Sequence, residues 1–225
     1  MPPRDDSSLD GATSPWRSFT PRARSPRVAE PMRRPAARAE WRDWARTVLA
    51  NDDAWMIVDT ETTGTHNEAD IIEFAAVTPL GKVLADCLIR PIGSIPPYIT
   101  QLTGITNAMV TPAPRFPFAY AETLWPHLST RGILAYNAPF DVRMIRQNVQ
   151  RHCRRAWEPV EQACLMRAYG KWRGECYPRG HGWAGRVMVH KLDVACRQLG
   201  IPHDHAHRAL DDCLVTVKLL RAMAE

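Results

Sequence analysis

The sequence predicts an α/β domain layered around a mixed sheet. Strand-like segments come first and then alternate with helix-like ones, and a chain of 225 residues with 45% hydrophobic composition can bury one sizeable core. The most apolar of the strand-like runs also turns polar at its end, as a buried central strand does.

Residues 1–38 stand apart. They are dominated by Pro, Arg, Ser and Ala with almost no large apolar residues, so burial cannot offset the entropy of ordering them. They are expected to form a disordered leader whose arginines hold a polyanion weakly, with the folded domain spanning 39–225. Trp41, Trp44, Ala45, Val48 and Leu49 recur at helical spacing, predicting an amphipathic helix at about 39–50 that docks on the domain. Trp55-Met56-Ile57-Val58 reads as the central strand. Segments 70–77 and 82–90 give two more strands, joined through Thr78-Pro79-Leu80-Gly81, and the three form an antiparallel meander.

The stretch 96–104 carries turn signals and predicts a short helix or loop, followed by a helix at 118–128. Residues 132–136 give a fourth strand. Pro139 suits the first turn of a helix whose apolar face, Met144, Ile145 and Val149, runs to about His152. A short fifth strand is expected near Val160. Residues 171–190 mix glycine with Trp172, Tyr177, Trp183 and several basic groups without periodicity and read as a loop. Helices at 192–199 and 206–223 close the chain.

A formal net charge of +5 favours an anionic partner. Six cysteines without a CxxC pair predict reduced thiols and a cytoplasmic protein. No apolar run has the length of a membrane span, and the N-terminus lacks a basic segment followed by an apolar core, so no membrane partner is expected.

The chemistry rests on acidic residues. Asp59 and Glu61 end the central strand, and two-residue periodicity turns both to the same side. Like charges that close call for a cation or a proton between them, and a hard divalent metal is the natural third party. Asp141 lies in the first turn of the helix after the fourth strand, where a helix dipole also favours a carboxylate. Asp212 shares a helix face with Ala209, Cys213, Thr216 and Leu220, while His207, five residues earlier, should sit on the loop leading in. Taken singly, each has a plainer reading: a solvated turn, a helix-capping carboxylate, a surface histidine.

Together they fall into a pattern. Ile57-Val58-Asp59-Thr60-Glu61-Thr62-Thr63-Gly64, Asp70-Ile71-Ile72-Glu73-Phe74-Ala75-Ala76-Val77, Leu102-Thr103-Gly104-Ile105-Thr106, Asn137-Ala138-Pro139-Phe140-Asp141 and His207-Arg208-Ala209-Leu210-Asp211-Asp212 occur in that order. From about residue 56 to the end the chain resembles the DEDDh, or DnaQ-like, 3′→5′ exonucleases, among them the proofreading exonuclease subunit of bacterial DNA polymerase III. The resemblance implies a ribonuclease H-like fold with a mixed five-stranded sheet flanked by helices. It also implies hydrolysis of nucleic acid from a free 3′ end, with single-stranded DNA as the expected substrate and nucleoside 5′-monophosphates as products. Asp59, Glu61, Asp141 and Asp212 would hold two divalent cations, Mg or Mn, and His207 would be the general base. Thr62, Leu102, Thr103, Gly104, Ile105, Asn137 and Phe140 would contact substrate, with Gly104 allowing close backbone approach. DNA repair and oligonucleotide turnover rest on the resemblance alone.

Two features depart from the family. Tyr136 stands where many members carry a histidine. The sequence also stops soon after its last helix, without the tail that ties a proofreading subunit to a polymerase, which leaves a polymerase partner open. Three other readings remain: an inactive nucleic-acid-binding module, an exoribonuclease acting on short RNA, and a zinc site in His203-Asp204-His205-Ala206-His207, whose alternate histidines lack the usual zinc spacing.

Overall fold

The computed structural model describes residues 32–33, 37–179, 181–204 and 207–225. The expected leader, 1–38, therefore lies almost wholly outside the described residues. A two-residue strand, β1 (Met32–Arg33), precedes helix α1 (Ala37–Ala50). The meander follows as β2 (Trp55–Thr62), β3 (Ile71–Val77) and β4 (Val83–Leu88). Short helices α2 (Pro97–Thr103), α3 (Asn107–Val110), α4 (Phe116–Ala119) and α5 (Trp125–Leu128) lead to β5 (Gly132–Ala135). Then come α6 (Ala138–Asn148), β6 (Gln162–Cys164), α7 (Leu165–Arg173), β7 (Glu175–Cys176), α8 (Leu192–Leu199) and α9 (Ala209–Ala224).

The main sheet has five strands in the order β4-β3-β2-β5-β6. The first three pair antiparallel, and β5 and β6 join β2 in parallel. This is the mixed sheet flanked by helices that the family resemblance implies. Side chains of β2 alternate between two cores. Met56 and Val58 pack with Val142, Ile145 and Val149 of the α6 side, whereas Ile57 packs with Ala45, Tyr169, Cys213 and Leu220 from α1, α7 and α9. The parallel strands point their carboxyl ends to one rim, where α/β sheets gather ligands. Among the described residues no helix is long and apolar enough to cross a membrane.

Several boundaries move from their expected places. The helix expected at 118–128 starts at Phe116 and contains a wide turn, Tyr120–Leu124, between α4 and α5. Pro126 lacks the N–H that Glu122 would receive, and its ring crowds that carbonyl, so the turn before it widens. The fifth strand forms at 162–164, just past Val160. Residues 171–190 are not one loop: α7 runs into them to Arg173, and β7 pairs with β1 on one side and bridges to Val187 on the other. The last helix begins at Ala209, three residues late, because His207 adopts a left-handed φ of 68° and Arg208 is extended.

Candidate active site

The predicted acidic residues converge where β2 ends. Asp59 and Glu61 are half-buried on the face of β2 toward α9, and the β2–β3 register slips between Glu61 and Thr62. Such a bulge twists the strand and re-aims the side chains beside it. Thr60 points to the opposite face, where its hydroxyl donates to Asp141 Oδ1 at 2.8 Å within buried surroundings. Asp141 is thus drawn to the sheet rim from the first turn of α6 and is more than a helix-capping carboxylate.

Asp212 enters from α9. Its helix approaches closely because Ala209 and Cys213 are small and fully buried, with Cys213 Sγ 3.6 Å from the carbonyls of Ile57 and Ala75. Glu61, Asp212 and His207 each bring a ligand atom within 4.8 Å of the others. His207 is exposed, and its backbone N–H donates to Asp212 Oδ2 at 3.4 Å. Its left-handed backbone costs a non-glycine residue about 1–3 kcal/mol, a strain that persists only where surrounding structure imposes it.

Two functional neighbours went unread in the sequence. His203, weighed there only as a zinc donor, places Nε2 2.6 Å from Asp212 Oδ1 with its side chain just 8% exposed. Its Nδ1 is buried without a hydrogen-bond partner among the described residues. The imidazole braces Asp212 as histidines and carboxylates brace one another around metal ligands. His205, another donor of the zinc reading, lies outside the described residues.

Glu73 is the second. It pairs directly with Glu61 across the strands and is 1% exposed. Arg208 grips it through Nε at 3.0 Å and Nη2 at 2.6 Å on Oε1, and the Ala209 N–H donates to Oε2 at 2.9 Å. A carboxylate from β3 therefore caps α9, whose own N-cap residue makes no side-chain cap. The legible signal was Glu73 itself: one charge in an otherwise apolar strand needs a partner.

Burial dominates the electrostatics. It raises the Asp59 carboxyl well above the ordinary range, with repulsion from Asp141, Glu61, Asp212 and Glu73 adding to it. Burial, then Asp212, Glu73 and Asp141, push Glu61 to about 8 against the pull of Arg208. Burial lifts Asp141 to about 7 despite the Thr60 hydrogen bond. Asp212 is also raised by burial, less than it would be without His203. Four carboxyls that repel one another at a rim, with donor atoms of Glu61, Asp212 and His207 within 4.8 Å of one another, fit divalent cations.

The residues expected to contact substrate fall into two groups. Leu102 is 50% exposed, Asn137 is exposed, and Phe140 is partly exposed under the Arg143 guanidinium, 5.5 Å from its ring. Gly104 ends α2 with a φ of 73° that side chains rarely adopt. Thr62, Thr103 and Ile105 are buried: Thr62 donates to the Gly64 carbonyl, Thr103 to the Ile99 carbonyl, and Ile105 packs with Ile72, Ile95 and Val110. Their side chains are engaged inside the fold. Tyr136, the family departure, donates its hydroxyl to the His190 carbonyl at 2.8 Å.

Comparison with known proteins agrees with this geometry. The RNase T family model, described as Exonuclease, matches residues 56–220. The chain is 32% identical over 186 residues to exonuclease CP81 of Escherichia phage 186, covering 77% of this chain and 90% of that one. It is 32% identical over 169 residues to exodeoxyribonuclease 10 of Escherichia coli K12, covering 73% and 66% of the two. Other relatives are much longer, and the chain spans 30% of one and 11% of another. The nuclease domain of 3′hExo, a DEDDh family member solved with bound rAMP, superposes with a TM-score of 0.60 at 20% identity over 75% of this chain and 90% of that one, a likeness of fold. Exonucleases of this kind work with divalent metal ions on nucleic acid, and the chain belongs to their family as a DEDDh-type 3′→5′ exonuclease.

Proposed function

We propose that the enzyme removes nucleotides from the free 3′ end of single-stranded DNA, releasing nucleoside 5′-monophosphates, with Asp59, Glu61, Asp141 and Asp212 holding two Mg²⁺ or Mn²⁺ ions and His207 acting as general base. The observation that carries the reading is the meeting of Glu61, His207 and Asp212 donor atoms within 4.8 Å, beside an Asp59 carboxyl crowded by four other acids. DNA is preferred because a 32% identical relative is an exodeoxyribonuclease, whereas the rAMP-bound neighbour shares only the fold. All six cysteines are free thiols, which supports a reducing, cytoplasmic setting. Residues 39–225 form the catalytic domain in this reading, with 1–38 as its leader.

Bound divalent ions lower the pKa of a water, orient the scissile phosphate and stabilise the departing oxygen. The chain's own residues do the rest. The exposed His207 imidazole accepts the proton of the attacking water as its oxygen bonds to the terminal phosphorus, and the bond from phosphorus to the preceding 3′ oxygen breaks. That oxygen leaves as the new 3′ hydroxyl after protonation, and the phosphate departs on the 5′ side of the released nucleoside. His203 holds Asp212 fixed, and Thr60 fixes Asp141.

The test compares 3′-blocked and unblocked single-stranded DNA and RNA, with and without Mn²⁺, using Asp59→Ala as control. Metal-dependent release of monophosphates from unblocked DNA, absent in the variant, is expected. A strong preference for short RNA would overturn the DNA assignment, and binding without any hydrolysis would overturn the activity.

A further inference from the structure

The segment after α7 forms a hairpin with a fixed base and an exposed tip. Its two sides are tied by Met188 N–H to the Glu175 carbonyl at 2.8 Å, Tyr177 N–H to the Arg186 carbonyl at 2.9 Å and Gly185 N–H to the Tyr177 carbonyl at 3.0 Å. The return side lies on α7 so closely that a Cβ on Gly170 would meet the Met188 carbonyl oxygen at 2.3 Å, which requires glycine there. The Tyr136 hydroxyl then fastens the His190 carbonyl to the end of β5, the strand that leads directly to Asn137 and Asp141. The hairpin is thus tied at its base to the residue that immediately precedes Asn137. On its other side β1 pairs with β7, Met32 opposite Cys176 and Arg33 opposite Glu175.

The tip carries a cluster of aromatic groups that includes one widely exposed indole. Tyr177 and His181 stack at 4.6 Å and 17°, Trp183 stands edge-on to Tyr177 at 5.5 Å, and Trp183 is 56% exposed. An indole of that exposure gains little from its own domain. Arg179 and Arg186 flank it, both exposed, and residues 176–191 include no acidic residue. Stacking rings between unneutralised cations suit a flexible strand of bases and phosphates.

We propose that this hairpin is a single-strand binding arm: Trp183, supported by Tyr177 and His181, stacks on a base upstream of the scissile end, while Arg179 and Arg186 neutralise the flanking phosphates. The arm rests on the exonuclease reading for its substrate, and its chemistry is shared by DNA and RNA. The experiment uses the full chain with Trp183→Ala, Trp183→Phe and the double variant Arg179→Ala/Arg186→Ala. Each is assayed on a dinucleotide and on 20-residue single strands of DNA and of RNA, and binding of the 20-mers is measured by anisotropy in EDTA.

Trp183→Ala is expected to weaken 20-mer binding by about 5- to 150-fold, the range for loss of one stacked base. Trp183→Phe should recover much of that loss, and dinucleotide turnover should not change. The double arginine variant should flatten the salt dependence of 20-mer binding by about 1.4 in log–log slope. Loss on either polymer supports the arm and names the sugar it accepts. Unchanged affinity for both 20-mers, or an equal loss on the dinucleotide, overturns it. Because the anisotropy requires no chemistry, an inactive enzyme whose 20-mer binding still depends on Trp183 would fail the exonuclease reading and leave the arm standing.

Discussion

Glu61 and Glu73 face each other across two strands of one sheet, yet the protein treats them oppositely. Glu73 is closed off by a two-pronged guanidinium and a helix N–H, which neutralise it and tie α9 to β3. Glu61 receives no such partner; burial and three neighbouring acids push it to about 8. One glutamate is a structural ion pair, and the other, on the proposed mechanism, takes an ion from solution. They share a sheet face, and what separates them is the guanidinium that pairs with Glu73.

The largest way to break the contrast is on the open side. Asp59→Asn and Glu61→Gln should each reduce turnover by more than about 100-fold, above the range for residues that only support metal ligands. The same changes remove repulsion, so in EDTA at pH 8 they should raise the melting temperature by a few degrees, about what 1 kcal/mol yields in a domain of this size. A calorimetric scan alongside the kinetics checks both signs. On the closed side the sign reverses. Arg208→Met strands Glu73 as a buried charge, and urea unfolding in EDTA should show a loss of about 3 kcal/mol. That is the low end for a broken buried pair because the Arg208 side chain is 42% exposed and water can reach the gap.

His203 offers a smaller perturbation. His203→Leu should weaken Mn²⁺ binding by about 10- to 100-fold, and His203→Gln, which keeps a donor near the Nε2 position, should restore most of it. Calorimetric titration with Mn²⁺ distinguishes the two, and equal affinities for both variants would refute the bracing role. The gentlest test is pH. Glu61 has a folded pKa of about 8 against an ordinary 4.5, so the folded protein binds more protons than the unfolded one between those values. Its stabilising effect is complete below about pH 4.5 and is lost as pH rises through 8, with Asp141 adding the same trend up to about 7. Denaturation midpoints in EDTA should fall across that window, and saturating Mg²⁺ should flatten the slope.

These residues were unequally legible in the sequence. The strands around Asp59 and the helix carrying Asp141 could be read locally, since apolar runs, proline and the two-residue period need no distant partner. Asp212 was placed correctly by helical register, with Cys213 and Ala209 buried as its small neighbours. Glu73 and His203 were missed because their roles depend on contacts 135 and 9 residues away in sequence, made only once β3 and α9 dock. The start of α9 was placed early for the same reason: Glu73 supplies its cap from another strand. Helix α7 was passed over because its glycine and its basic and aromatic residues weaken the apolar period, and the hairpin beyond it has almost no period to read.

The bond between Glu73 and the start of α9 also bears on biosynthesis. Asp59, Glu61 and Asp141 leave the ribosome before Asp212, which lies on a helix that begins only at Ala209. On the proposed two-metal reading, a nascent chain that has not yet emerged as far as α9 carries three of the acids without Asp212, and it should be unable to cut nucleic acid. Arg208 and Ala209 can close on Glu73 only once the start of α9 has emerged.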